Sequence, residues 1–264
     1  MEALLGLGGL LVAILGIMVF FIYVLGPVMV LAMLRFPDTP AVVQCDPQRD
    51  ALPEDARQFF AETYVELSSL GFQLIGTFAL PDVLPNVRSL LAMYEHADGH
   101  MAMATVIVAE GIGTSKLKYS EFSTRYTNGL VVMTSNSTQL SSFRPLSNEF
   151  PCQLPALTDL SRLFMIHRGR CEQHRAGAQP ERTLRTKFNG RAAEFIGLHI
   201  LRRSFEEQVK VGYLRRTAQG FGASLKGACL MAWGEAFPIK QIRMAGVRRR
   251  ANEVLAEHAW PAKA

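Results

Sequence analysis

Residues 87–108 read VRSLLAMYEHADGHMAMATVIV, two apolar runs joined by His96-Ala97-Asp98-Gly99. An Asp-Gly pair between two apolar runs is a strong β-hairpin signal, because the turn needs backbone conformations that these residues adopt readily. Val87–Tyr94 and Met101–Val108 are therefore predicted to be antiparallel neighbours. This hairpin indicates a domain built on an antiparallel sheet.

The flanking segments extend the hairpin into a meander. Lys118–Tyr126 alternates in polarity, and Asn128-Gly129, a second hairpin signal, leads into Leu130–Ser135. Phe72–Leu80 supplies a further apolar run, and Pro53 opens an amphipathic helix that ends at Gly71. We expect an α+β layer over residues 53–150, with about five antiparallel strands and one flanking helix.

Beyond residue 150 the apolar pattern becomes helical. Apolar residues at helical spacing predict helices over Leu157–Gln173 and Arg191–Gln208, and a last helix from Pro238 to about Trp260. Trp233 is predicted to lie in the core. Residues 151–264 are expected to form a basic, mainly helical module.

Composition excludes several protein classes. The 264 residues are 49% hydrophobic and 19% charged, which argues against disorder, and the four cysteines are too few for a disulfide scaffold. Residues 1–150 carry eight Lys and Arg against fourteen Asp and Glu, whereas residues 151–264 carry twenty against nine. The two parts therefore have net charges of −6 and +11. This asymmetry suggests different partners, or two parts that attract each other.

The amino end predicts a membrane anchor. No charged residue occurs from Ala3 to Leu34, and about 20 apolar residues suffice to cross a bilayer as a helix. A cleaved signal peptide fits poorly, because the apolar run is too long and no basic residue precedes it. We expect residues 1–35 to form a single-pass anchor and residues 36–52, rich in proline, to form a linker.

Arg35 and Arg49 follow the span and favour a cytoplasmic location for the bulk of the chain, by the positive-inside tendency. In a bacterium, the membrane would be the inner membrane.

The apolar span also carries small residues on one helix face, which let another helix approach closely. These residues are Gly6, Gly9, Ala13 and Gly16. The stripe predicts a partner helix, from another membrane protein or from a second copy of the chain.

Two sets of residues could hold a metal ion. Glu95, His96, Asp98 and His100 cluster at the tip of the predicted hairpin, where the tip is exposed and the turn already explains Asp98-Gly99. The second set lies on one face of a helix. His167, Cys171 and His174 are spaced at i, i+4 and i+7 on a predicted helix, and imidazole and thiolate are good zinc ligands. No fourth ligand is evident, so a half-buried polar helix end is the other interpretation.

Motifs for nucleophilic catalysis, for dinucleotide phosphates and for covalent haem are absent or incomplete. We expect no cofactor and favour a protein that is not an enzyme.

A short segment resembles the wing of winged-helix proteins. Gly212-Tyr213-Leu214-Arg215-Arg216 and Ser224-Leu225-Lys226-Gly227 surround a turn at Gly220. The resemblance covers about 25 residues and implies a β-hairpin that follows a helix. In that family the preceding helices include one that reads the DNA major groove, where Arg202 and Arg203 lie here. Winged modules also serve as protein-contact units, and shape does not establish function.

Basic residues of the C-terminal part form a candidate contact surface for acidic protein or anionic lipid. These residues are Arg202, Arg203, Lys240, Arg243, Arg248, Arg249 and Arg250. The sequence as a whole favours a membrane-anchored, non-catalytic accessory or scaffold subunit. Two alternatives are a membrane-tethered regulator that binds nucleic acid, which we favour less, and a membrane-bound metalloenzyme.

Overall fold

The computed structural model describes residues 10, 13–14, 16–47, 49–50, 52–84, 87–109 and 115–258. The chain is mixed α/β, with an apolar N-terminal helix, a sheet of seven strands and a C-terminal helical region. This confirms the fold class expected from the sequence. Within the described residues the strands are β1 (Arg35–Pro37), β2 (Val43–Cys45), β3 (Phe72–Leu84), β4 (Val87–His96), β5 (Met101–Ala109), β6 (Ser115–Arg125), β7 (Val131–Ser135), β8 (Glu149–Gln153), β9 (Leu214–Thr217) and β10 (Gly220–Ala223).

Seven helices accompany these strands in the described part of the chain. They are α1 (Gly16–Met33), α2 (Glu54–Ser69), α3 (Leu160–His174), α4 (Thr183–Phe188), α5 (residues 192–210), α6 (Leu225–Glu235) and α7 (Ile239–Glu257). Phe21–Leu25 of α1 and Phe195–Arg202 of α5 are π-helical stretches inside longer helices.

Helix α1 is long and apolar enough to cross a membrane, by its length and composition, and 6% of it is buried. Its C-terminal end is capped by Arg35, whose guanidinium donates hydrogen bonds of 2.9 Å to the carbonyls of Leu31 and Leu34. Such bonds satisfy carbonyls that have no partner within the helix.

The large sheet has the order β2-β3-β4-β5-β6-β7-β8. Strands β3 to β7 form the predicted antiparallel meander, and the turns at Gly99 and Gly129 adopt φ of +86° and +85°. Strand β2 adds an antiparallel edge, while β8 pairs in parallel with β7. Both added strands come from proline-containing segments without a local strand pattern, residues 36–52 for β2 and residues 135–155 for β8.

One face of this sheet is covered by α2, α3 and the end of α7. Asp159 caps α3 by accepting a 3.0 Å hydrogen bond from the amide of Arg162. Phe60 and Leu67 of α2 and Leu163 of α3 pack with Phe122 of β6 in one core. The opposite face carries a second core, in which Phe195 and Ile196 of α5 meet Phe78 and Met93.

A small three-stranded sheet joins the N-terminal helix to the C-terminal region. The predicted wing hairpin is β9–β10, and β1 adds a third antiparallel strand to it. Phe36 of β1 stacks on Phe205 of α5 at a centroid distance of 4.4 Å. The segment predicted as a linker therefore holds two edge strands, β1 and β2.

Candidate functional site

The predicted metal residues fall partly into one buried cluster. His167 and Cys171 lie one helical turn apart on α3 and face the sheet. The third member is His100, beside the β4–β5 turn. All three side chains offer ligand atoms within 4.8 Å of one another.

His174, the third residue in the sequence hypothesis, is not part of this cluster. Its ring stacks on Phe150 of β8, with centroids 4.4 Å apart, at the C-terminal end of α3. The sequence pattern placed His100 only in the separate set at the hairpin tip, because His100 is 67 residues away from His167 and reaches this cluster only through strand pairing.

Threonine hydroxyls connect the rings of the cluster. His100 Nδ1 lies 2.6 Å from Thr124 Oγ1, which lies 2.8 Å from His167 Nε2. His167 Nδ1 lies 3.1 Å from Thr134 Oγ1, and that hydroxyl also accepts a 2.8 Å bond from Arg170. The network thereby fastens α3 to β6 and β7 through buried polar contacts.

The protonation of the cluster follows from its burial. Burial and the neighbouring cationic groups lower the pKa of His100 to about 4 and hold that of His167 well below its usual range. Burial raises the pKa of the Cys171 thiol. Two neutral imidazoles would suit zinc, but a metal would require loss of the proton from the buried Cys171 thiol and rupture of the Thr124 bonds. The arrangement favours a structural network over a metal site.

A cavity of about 1060 Å³ lies on the opposite face of the sheet. Its floor is formed by β5 to β8 and its walls by α5, α7 and residues 137–149. Every second residue of β6 points into it, as the pleat of a strand requires. These residues are Leu117, Tyr119, Glu121, Ser123 and Arg125.

Glu121, on the floor of the cavity, is a carboxylic acid with a raised pKa. Burial and the nearby charge of Glu149 raise the pKa of Glu121 to about 7. The charged form of Glu121 is therefore disfavoured in the folded protein, relative to the unfolded chain.

Replacing Glu121 by Gln is expected to stabilise the protein at pH 8 by about 1–3 kcal/mol and to have little effect at pH 5. The folded state holds the Glu121 proton more tightly, so wild-type stability decreases as pH rises from about 4.5 to about 7. Thermal unfolding at both pH values measures the difference. Equal effects at the two pH values would contradict the raised pKa.

A third feature is an exposed apolar corner between α6 and α7, beside α1. We call this surface the apolar corner; its residues are Leu230, Trp233, Phe237 and Ile242, with exposures of 39%, 36%, 71% and 68%. Trp233 was predicted to lie in the core, and that prediction is wrong.

Helix α1 packs directly against the apolar corner. Tyr23 Oη donates a 2.5 Å hydrogen bond to the carbonyl of Phe237, and Trp233 Nε1 donates a 3.0 Å bond to the carbonyl of Tyr23. One turn further on, a Cβ on Gly26 would lie 3.6 Å from the Cβ of Ala232. The apolar helix and α6 are thus close neighbours.

Two of the four small residues predicted to form a packing face, Gly6 and Gly9, lie outside the described residues. Ala13 and Gly16 are exposed, and a Cβ built on Gly16 would have no atom within 4 Å. The described residues of this stripe, Ala13 and Gly16, therefore lie on the exposed surface of the protein.

The predicted basic surface is divided among several environments. Lys240 pairs with Glu235 at 2.8 Å, and Arg243 donates to the carbonyls of Gly234 and Ser141. Three others, Arg248, Arg249 and Arg250, are exposed on α7, and Glu253 pairs with the last two of them. Arg203 and Arg250 line the cavity.

Arginines beside the wing hairpin are paired with acids. Arg216 lies 2.5 Å from Asp38 and 3.0 Å from Glu206. Arg202 contacts the same two carboxylates at 3.3 and 3.2 Å. Because Arg202 and Arg216 each already meet two acids, these two side chains are poorly placed to bind phosphate groups of nucleic acid.

Comparison of the chain with protein-family models, with curated proteins and with solved structures finds no match in any of the three.

Proposed function

We propose that the protein is a single-pass, membrane-anchored accessory subunit whose folded part rests on the bilayer surface. The observation that carries the proposal is the continuity of α1 with the apolar corner. Trp233 and Phe237 are exposed beside Tyr23, and aromatic side chains favour the headgroup level of a bilayer.

The contacts of α1 favour a retained anchor over a cleaved signal sequence, although length and composition suit both. A removed segment contributes nothing to the mature fold. Here Tyr23 makes two hydrogen bonds with the α6–α7 region, and Val30 packs against the core that contains Phe221. Cleavage after α1 would expose these apolar partners to water.

The open small-residue stripe supports docking of a second membrane helix. Small residues allow backbones to approach closely, and this is a principal source of helix association in lipid. Gly26 already uses this kind of contact with Ala232 within the chain. The predicted small-residue stripe would use it with a partner helix, from another membrane protein or from a second copy.

The proposed orientation places the folded part in the cytoplasm, at the inner membrane in a bacterium. Arg35 follows α1 directly, and Lys240 and Arg243 lie just beyond the apolar corner. Basic residues near a membrane surface favour the cytoplasmic side and attract anionic lipid at about 1 kcal/mol each.

Purification of the tagged full-length chain in mild detergent, followed by mass spectrometry of the proteins that accompany it, tests the accessory role. We expect a stoichiometric membrane-protein companion, or a dimer. Replacement of Gly9 and Gly16 by Leu should abolish this association, because the larger side chains prevent the partner helix from approaching closely.

Gly8→Leu is the matched control, since Gly8 falls outside the i, i+3, i+7 spacing of the stripe. It should leave the companion in place. A wild-type chain that purifies as a monomer without companions, or equal losses in both variants, would contradict docking through the stripe.

A further inference from the structure

The cavity between the sheet and α5 contains cationic and polar groups that lack partners. Among the described residues, neither the Arg125 nor the Arg203 guanidinium has a hydrogen-bond or ion-pair partner. Arg125 is half-buried on the floor, and Arg203 reaches the cavity from its exposed rim. Burial and the charge of Arg203 lower the pKa of Arg125, and the more distant charges of Glu181 and Glu149 offset this only in part. The two cations are close enough to repel each other, and an anion between them would relieve that repulsion.

Two further polar atoms, both on α5 where it forms the cavity wall, are buried without partners in the described part of the chain. One is His199 Nε2, whose ring stacks on Phe195 at a centroid distance of 5.1 Å. The other is Gln208 Oε1, on a side chain that is 2% exposed. Burying polar atoms without partners is costly, so such atoms commonly mark the place of a water or ligand.

Two acidic groups of the cavity, Glu181 and Glu149, act on Arg125 at longer range, but neither forms an ion pair with it. The Glu149 carboxylate accepts a 3.0 Å hydrogen bond from the amide of Leu146. Glu181 pairs with Lys187 at 2.5 Å, and Glu207 with Lys210 at 2.7 Å. Glu121 lies four residues from Arg125 on the same strand, about 13 Å along the floor. The cationic end and the end that carries Glu121 are thus separate.

Apolar side chains occupy the floor between and beside these polar groups. Met101, Met103 and Met133 point into the cavity from neighbouring strands, and Phe195 and Ile200 do so from α5. Methionine is flexible and suits the binding of apolar chains of varied shape. A volume of about 1060 Å³ is at the upper end of ordinary ligand sites.

We propose that this cavity binds an amphipathic anion, with a carboxylate or phosphate head held by Arg125 and Arg203 and an apolar chain lying over the methionines. His199 would donate a further hydrogen bond to the head. The inference does not depend on the proposed anchoring, because the cavity lies wholly within the folded part of the chain.

The binding test uses the full-length protein in nanodiscs of zwitterionic lipid. Dodecanoate with an isotope label at its carboxyl carbon is added, and nuclear magnetic resonance separates protein-bound from lipid-dissolved ligand. We expect one saturable site. Dodecyl phosphate should compete for it, whereas dodecanol, which lacks the charge, and inorganic phosphate, which lacks the chain, should compete at least about tenfold more weakly.

Arg125→Gln and Arg203→Gln should each weaken dodecanoate binding roughly ten- to a hundredfold, the effect of removing a charged hydrogen bond. The matched control is Arg191→Gln, which removes an exposed arginine paired with Glu194 at the start of the same helix. Ser123→Phe, on the cavity floor, should block binding, with circular dichroism to confirm folding. Absence of a saturable site, equal binding of dodecanol, or unchanged binding in both cavity variants would overturn the proposal.

Discussion

Replacement of Gly227 by alanine is expected to lower the free energy of unfolding by about 3 kcal/mol or more. A Cβ at this position would lie within 1.8 Å of the carbonyl oxygen of Tyr213, a backbone atom that cannot rotate away. Gly227 is in the first turn of α6, and its amide donates a 2.8 Å hydrogen bond to the Ser224 hydroxyl that caps the helix. The substitution would therefore separate α6 from the wing hairpin.

Chemical denaturation of the full-length protein in detergent measures this effect. Gly246→Ala is the matched control, because it is also helical and a Cβ there has no atom within 4 Å. Alanine favours helix at such a site, so stability should stay the same or rise slightly. Equal stability of the two variants would show that α6 does not pack against Tyr213.

Replacement of His167 by alanine is expected to lower the free energy of unfolding by about 2–4 kcal/mol. The ring is fully buried, and its nitrogens bond to Thr124 and Thr134. Its removal would take one partner from each hydroxyl, leaving Thr124 with His100 and Thr134 with Arg170, and would open a space between α3 and the sheet. His174→Ala, which removes a ring at the end of α3, should cost less than about 1 kcal/mol.

The same substitution should change the dependence of stability on pH. Because the folded state lowers the pKa of His167, the unfolded chain binds more protons below about pH 6.5, and the network loses stability as pH falls. His167→Ala should reduce this loss between pH 7 and pH 5. A dependence identical to that of the wild type would contradict a buried, neutral His167.

Local signals in the sequence predicted the meander well. Asp98-Gly99 and Asn128-Gly129 specify turns with positive φ, and alternation along β6 separates the core face from the cavity face. These features act over a few residues, so they can be read without knowledge of the rest of the chain.

Features that depend on distant contacts were missed. Strand β8 contains Pro151 and pairs in parallel with β7. Its sequence has no alternation of apolar and polar residues that would mark it as a strand. The partnership of His100 with His167, and the exposure of Trp233 beside Tyr23, likewise arise from packing between segments far apart in sequence. The spacing on one helix correctly predicted that His167 and Cys171 lie together in one cluster. It predicted His174 as the third member, whereas the structure has His100 there.

The depth of Trp233 in a lipid bilayer shows whether the apolar corner rests on the membrane surface. The chain has two tryptophans, so Trp260→Phe leaves Trp233 as the only one. Its fluorescence is measured in reconstituted bilayers whose lipids carry bromine at defined depths of the acyl chain. The control places a tryptophan at exposed Tyr64 of α2 in a chain that lacks both native tryptophans. We predict that shallow bromine quenches Trp233 strongly and leaves Tyr64→Trp unaffected. If only water-soluble acrylamide quenches Trp233 and no brominated lipid does, the apolar corner does not contact the bilayer and the proposed membrane contact is wrong.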